Sequence, residues 1–268
     1  MEPQIVLITG ATSGIGEACA NLYAKNGYNL IITGRREEKL NQLKLNLENN
    51  FSVKVLTLCF DVRNADDVAI NLNSIPLEFK KVDILINNAG LSQGLDPIQT
   101  GDIGDWDRMI DTNVKGLLYV TRNVVPMMEG SKQAHIINLG SIAGKEVYPN
   151  GNVYCATKHA VDALNKAMRI DLLPKGIKVT AINPGMVETE FSEVRFHGEC
   201  RACHALFSRL AGVGSRASGV RPADRGDAAW LERGGDSGQP TGERAGAGGT
   251  IRTGRPDPIR TSAGSGAW

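Results

Sequence analysis

The sequence predicts an α/β protein built on a doubly wound parallel sheet, and three observations carry that expectation. Six short apolar runs recur through residues 1–199, with longer segments of helical period between them. The runs are rich in Val, Ile and Leu without strict apolar–polar alternation, as strands are when both faces of a parallel sheet are covered. A length of 268 residues suits one large α/β core.

Taken in order, the expected strands are residues 5–9, 29–33, 53–60, 82–86, 135–139 and 178–182. Helical spacing fills residues 15–25, 36–49, 65–74, 106–128 and 154–173. Strand–helix–strand repetition with right-handed crossovers then assembles one sheet with helices on both faces.

The texture changes at Cys200. From there to Trp268 the chain has no Lys and no Asn, while Arg, Gly, Ala and Ser dominate, as in Gly212-Val213-Gly214-Ser215-Arg216. No stretch beyond Leu210 keeps a strand or helix period, so too little apolar surface is on offer to offset the entropy of ordering. Residues 1–199 are therefore expected to be the folded domain, and residues 200–268 a Gly/Arg/Ala-rich tail of low complexity. Two origins of the tail stay open: a native disordered extension, or a segment out of frame or foreign. The abruptness of the change favours the second.

Composition narrows the partners. With a net charge of +1, 41% hydrophobic and 22% charged residues, the chain gives no reason to expect nucleic acid or an acidic membrane. No run of eighteen apolar residues exists, and Met1-Glu2-Pro3 leads into the first apolar run without a basic leader, so a cytoplasmic protein is expected. The cysteines, Cys19, Cys59, Cys155, Cys200 and Cys203, are odd in number and scattered, which argues for reduced thiols. Cys200-x-x-Cys203 with His204 lacks further ligands, so no metal site is expected.

The first apolar run ends in Gly10-Ala11-Thr12-Ser13-Gly14-Ile15-Gly16, which opens the first helix. Gly10 permits a tight exit from the strand, Gly14 lets backbone approach a pyrophosphate, and Gly16 lets the helix lie close to the sheet. The helix N-terminus then offers N–H groups and partial positive charge to the phosphates. A glycine pattern alone is weak evidence, but a strand before it and a helix after it are the confirming context for a dinucleotide site. At the end of the second strand Gly34 is followed by Arg35 and Arg36, where an NAD site would carry an acid for the ribose 2′-OH. Two guanidiniums there suit a 2′-phosphate, so NADP(H) is expected.

Reducing a carbonyl with a nicotinamide requires a proton for the forming alkoxide, and the protein must supply it. Tyr154-Cys155-Ala156-Thr157-Lys158 puts a phenol and an ammonium on one helical face. A tyrosine of pKa ~10 is a poor acid near neutrality, and a neighbouring cation lowers that pKa. Ser141 follows the fifth strand, where its hydroxyl can donate to a developing oxyanion.

The form Thr9-Gly10-Ala11-Thr12-Ser13-Gly14-Ile15-Gly16, with Asn87-Asn88-Ala89-Gly90, Ser141, Tyr154, Lys158 and Asn183-Pro184-Gly185-Met186-Val187-Glu188-Thr189, resembles the short-chain dehydrogenase/reductase family. The resemblance covers residues 4–199. Residues 32–40, 60–64, 87–91, 105–117, 151–161 and 189–199 are most similar to the NADP-dependent 3-hydroxy acid dehydrogenases of that family, which act on L-serine and L-allo-threonine.

The resemblance implies a Rossmann-like fold and adds roles. Ala11, Thr12, Ser13 and Ile15 join the glycines in holding the cofactor phosphates. Asp61, by its carboxylate, and Val62, by its N–H, hold the adenine. Asn88 lies beside the cofactor ribose, Lys158 also contacts the cofactor, and Pro184, Gly185, Val187 and Thr189 meet the nicotinamide. Asn113 holds a water that relays protons toward Lys158, completing a catalytic set with Ser141, Tyr154 and Lys158. Ser141, Tyr154 and Arg195 face the substrate, Arg195 binding its carboxylate.

The activity so implied is interconversion of a small 3-hydroxy acid and its 3-oxo acid, with Tyr154 as acid/base. A reductase of 3-oxoacyl thioesters or aldehydes, or a product impaired by its aberrant C-terminus, are the alternatives. The resemblance also implies a homodimer through helices 106–128 and 154–173. Past Glu199 the lid, the last strand and the tetramer-contact segment of the family are not recognisable, so a tetramer is not expected.

Overall fold

A computed structural model describes residues 3–185 of the chain. Its strands are β1 (Ile5–Ile8), β2 (Asn29–Gly34), β3 (Val55–Cys59), β4 (Ile84–Asn87), β5 (His135–Leu139) and β6 (Lys178–Ile182). They form one parallel sheet in the order β3-β2-β1-β4-β5-β6, so the expected doubly wound architecture is observed. The chain runs outward in one direction through β2 and β3 and in the other through β4 to β6. Reversal between β1 and β4 opens a crevice at the carboxyl ends of these two strands, the place where such sheets bind ligands.

Both faces of the sheet are covered. Val6, Ile8, Leu30, Ile32, Ile84 and Ile86 pack on one side with Ala20 and Ala24 of α1 (Gly14–Lys25) and Leu40, Leu43 and Leu47 of α2 (Glu37–Asn50). Leu7, Ile31, Leu85 and Ile136 pack on the other with Val68 and Leu72 of α3 (Ala65–Asn73), and with the long helices near β4 and β5. Neighbouring residues of one strand therefore both meet apolar partners, which is why the strands read as continuous apolar runs.

The expected single helix over 106–128 is longer at its start and broken in its middle. α4 spans Ile103–Ile110, because the carboxylate of Asp102 accepts the N–H of Asp105 at 2.9 Å and caps the helix. Ile103 is 68% exposed, so the apolar period begins only later and hides this first turn. Residues Asp111–Gly116 then wind as a π-helix before α5 (Leu117–Met128). Gly116 rides against Val62, where an added Cβ would lie 2.8 Å from Val62 Cγ2. Such widened turns recur at functional sites, and this one carries Asn113.

α6 spans Asn152–Asp171 rather than 154–173. Asn152 accepts the N–H of Val153 and donates to the carbonyl of Asp96, which anchors the helix start to the loop after β4. β3 is shorter than residues 53–60. Among the described residues no helix is long and apolar enough to cross a membrane.

Candidate active site

The turn from β1 into α1 is built from both sides of the crevice. Gly10 (φ +64°) and Gly14 (φ +56°) adopt the left-handed backbone that only glycine takes without strain. A Cβ on Gly16 would sit 2.5 Å from Asn88 Nδ2 and collide with the Gly10 carbonyl. Asn88 Nδ2 donates to the carbonyls of Thr9 and Gly10 at 2.9 and 3.0 Å, while Thr9 Oγ1 accepts the N–H groups of Asn88 and Ala89. The side chain of Asn88 thus braces the turn. Thr9, which sequence reasoning passed over as a strand residue, is its counterpart. The Ala11 N–H donates to the Thr33 carbonyl, leaving Thr12 and Ser13 at the crest.

Ser13 stands at the N-cap of α1 yet makes no side-chain capping bond. With the Ser13 side chain not capping them, the first-turn N–H groups of α1 are suited to an anion from outside. Arg36 donates to the carbonyl and hydroxyl of Thr12 at 3.3 and 3.0 Å, so its guanidinium leans over this crest. Arg35 turns toward Asp61, with 3.9 Å between Nη1 and Oδ2. An NADP ribose phosphate fits this basic edge better than a bare diol, because the second strand ends in two arginines and no acid.

Asp61 lies in the loop beyond β3, held by a residue that sequence reasoning did not single out. Arg63 grips its carboxylate through Nε and Nη2, the shortest bond being 2.6 Å. Burial by itself raises the Asp61 pKa, but the bonds and charge of Arg63, with Arg35 beyond it, bring it below the ordinary value. The carboxylate is therefore ionised and fixed. Val62 is buried under Gly116.

Beyond the ends of β4 and β5 lie the side chains that the sequence marked as catalytic, and Lys158 stands near both Tyr154 and Asn113. Lys158 is only 7% exposed, and its Nζ donates to the carbonyl of Leu139 at 2.8 Å. It stands 5.9 Å from the centre of the Tyr154 ring. Burial pushes the Lys158 pKa down from 10.5 to about 8. Ser141 ends the β5 connection, and its Oγ accepts the Ala143 N–H at 3.1 Å, leaving the hydroxyl proton able to donate outward. The Ile142 N–H donates to the Pro184 carbonyl and the Gly140 N–H to the Ile182 carbonyl, which lays Pro184 and Gly185 beside Ser141.

Asn113 is buried, and its side chain is fully engaged. Its Oδ1 accepts the Leu91 N–H at 2.8 Å, while Nδ2 donates to the Leu91 carbonyl and to Thr157 Oγ1 at 2.8 and 3.0 Å. Thr157 in turn donates to the carbonyl of Tyr154. A Cβ on Gly90 would lie 3.2 Å from Asn113 Oδ1 and 3.7 Å from Lys158 Nζ, so the two side chains meet across this glycine. Thr157 and Leu91 were not foreseen, since neither residue type announces a site.

A buried polar row, equally unforeseen, lies behind these groups. Asn87 Nδ2 donates to Thr121 Oγ1 and Asn138 Oδ1, both at 2.9 Å, and Asn138 Nδ2 donates to Asn165 Oδ1 at 3.0 Å. It ties β4 and β5 to α5 and α6. Val187, Thr189, Arg195, the Cys200–Cys203 pair and the tail lie outside the described residues.

The short chain dehydrogenase family matches residues 4–199. The chain belongs to the short-chain dehydrogenase family. An NADP-dependent 3-hydroxy acid dehydrogenase of Salmonella typhi is 47% identical to it over 196 residues, which cover 73% of this chain and 77% of that one. Sulfoacetaldehyde reductase 2 of Chromohalobacter salexigens is 46% identical over 204 residues, covering 76% and 80%. Among solved structures, the closed form of a serine dehydrogenase complexed with NADP+ matches this short-chain dehydrogenase with a TM-score of 0.71 and 44% identity, covering 76% of this chain and 81% of that one.

Proposed function

We propose that this short-chain dehydrogenase interconverts a small 3-hydroxy acid, of the serine or allo-threonine kind, and its 3-oxo acid. It is an NADP-dependent oxidoreductase. The observation that supports the oxidoreductase reading is a buried Lys158 5.9 Å from the Tyr154 ring at the start of α6 beside a basic cofactor edge, and the substrate reading draws on the similarity to relatives named for such acids.

A bound NADP would supply or accept the hydride, and the chain's own residues handle the proton and the charge. Ser141 Oγ, oriented by the Ala143 N–H, donates to the substrate oxygen as negative charge develops there. Tyr154 gives its phenolic proton to that oxygen in reduction and takes it back in oxidation. Lys158, held by Leu139, keeps a cationic centre near the phenol and stabilises the phenolate. Asn113 fixes Thr157 and the Gly90–Leu91 backbone, so the floor on which Lys158 rests cannot shift. Arg35 and Arg36 hold the 2′-phosphate, and Arg195 takes the substrate carboxylate in a two-pronged bond. Residues 1–199 carry all of these roles.

A second reading, reduction of a small anionic aldehyde, is favoured by the 46% identity to a sulfoacetaldehyde reductase. Purified chain should oxidise L-serine, L-allo-threonine and 3-hydroxypropanoate with NADP+ more efficiently than it reduces sulfoacetaldehyde with NADPH. The reverse ranking would replace the first reading by the second. Absence of a cooperative melt that NADPH raises would show that the chain as it stands is not a working enzyme.

A further inference from the structure

The cofactor edge sets a carboxylate within reach of the arginine assigned to a phosphate. Gly34 and Cys59 are partners in the parallel register, and the Phe60 N–H donates to the Gly34 carbonyl at 3.1 Å. β2 and β3 therefore end side by side, and the chain beyond them sets Arg35 against Asp61, with 3.9 Å between Nη1 and Oδ2. A bare carboxylate at that place would draw Arg35 into an ion pair. It would also repel a 2′-phosphate directly, because like charges a few ångströms apart oppose each other.

Arg63 removes both effects. Asp61 Oδ1 accepts the backbone N–H of Arg63 at 3.0 Å and its Nε at 3.1 Å. Oδ2 accepts Nε at 3.0 Å and Nη2 at 2.6 Å. A forked guanidinium bond of this kind is stronger and more directional than a single ion pair. Arg35, its side chain 60% exposed, only approaches the carboxylate that Arg63 grips. Asp111 of the π-helix also acts on Arg63, but its own carboxylate is bonded to Lys115 at 2.8 Å. Arg63 is therefore committed to Asp61, and the positive charge left over in this cluster sits at its exposed end, on Arg35.

We propose that Arg63 is a positioning residue that sets the cofactor preference: by taking the Asp61 carboxylate into its fork, it releases Arg35 to the 2′-phosphate and so favours NADP over NAD. It acts through Asp61 and Arg35 and touches no part of the phosphate itself. The assignment rests on the reading that Arg35 meets that phosphate.

The test titrates the full chain with NADPH and with NADH and reads the ratio of the two dissociation constants. Both nucleotides carry the same adenine, so a lost adenine contact or a loosened loop cancels in the ratio, whereas charge at the 2′ position does not. Arg63→Met should lower the preference for NADPH at least about tenfold, the range that loss of a bond to a charged group gives. Adding Asp61→Asn to it should bring the ratio back to within about threefold of wild type, because the carboxylate that captured Arg35 is gone. Arg63→Lys keeps the charge without the fork and should also stay within about threefold. Equal weakening of both nucleotides by Arg63→Met, no recovery in the double variant, or a tenfold fall in Arg63→Lys each overturns the proposal. Arg35→Ser separates it from the reading beneath it. An unchanged ratio in Arg35→Ser overturns both the phosphate role of Arg35 and the proposal. A lowered ratio there, with none in Arg63→Met, overturns the proposal alone.

Discussion

Lys158 Nζ donates to the carbonyl of Leu139 at 2.8 Å from a position almost closed to water, so an ammonium is held at the end of β5 against its own solvation. Its pKa falls from 10.5 to about 8 for that reason. The unfolded chain keeps the proton up to about 10.5, so between pH 8 and 10.5 the unfolded state binds more protons. Stability contributed by this group therefore rises with pH across that window and is lost as pH falls through about 8. The full effect is about 3 kcal/mol. Lys158→Met should melt higher than wild type at pH 7, and the gap should close by pH 10. Parallel curves for the two proteins would mean that the site solvates Lys158. Activity should be lost at every pH.

Asn113 offers a second prediction, because its side chain satisfies both backbone groups of Leu91. Asn113→Ala would leave the buried Leu91 N–H and carbonyl unmet, at a cost of about 2–3 kcal/mol of unfolding free energy, read as a lower urea midpoint. Amide exchange at Leu91 should accelerate with it. A decrease in kcat without loss of stability or protection would show that the residue acts on the reaction alone.

The contrast between these two lysine and asparagine sites explains what could be read in the chain. Tyr154 and Lys158 were legible because the chemistry demands a phenol and a cation one helical turn apart, and the glycine turn because a phosphate demands backbone without side chains. The π-helix at Asp111–Gly116 was not, since it depends on bonds from Asn113 to Leu91 and Thr157, 22 and 44 residues away in sequence. Asn138 sits inside an apolar run and reads as strand filler until the sheet register sets it beside Asn87, while Thr9 and Asn87 stand in their motifs without any sign of the bonds they make. Asp102 escaped notice because a cap leaves no apolar period, and Arg63 because its partner Asp61 had already been given another role.

Cofactor choice should follow the basic edge. Arg36 is tied to Thr12, whereas Arg35 reaches toward an Asp61 that Arg63 already holds. Arg35→Ser should therefore weaken NADPH about tenfold or more while leaving NADH binding and the melting temperature near wild type. Arg36→Ser should weaken both nucleotides, because the crest of the phosphate turn loses its brace as well as a charge. Titration by nucleotide fluorescence at two salt concentrations separates these cases. Equal effects of the two substitutions on NADH would remove the distinction.

The row Thr121–Asn87–Asn138–Asn165 makes a prediction about coupling. Asn138 is the middle link, accepting from Asn87 and donating to Asn165 inside the core. Asn138→Leu strands an amide on each neighbour and should cost about 2–4 kcal/mol. Asn165→Leu strands only one, and should cost less. Once Asn165 is gone, removing Asn138 leaves only Asn87 without a partner, so the double variant should be more stable than the sum of the single losses predicts, by about 1 kcal/mol or more. A cycle of urea denaturations on the four proteins reads that difference directly. Strict additivity would mean that water replaces the missing amides and that the row does not hold β5 against α6 as one unit.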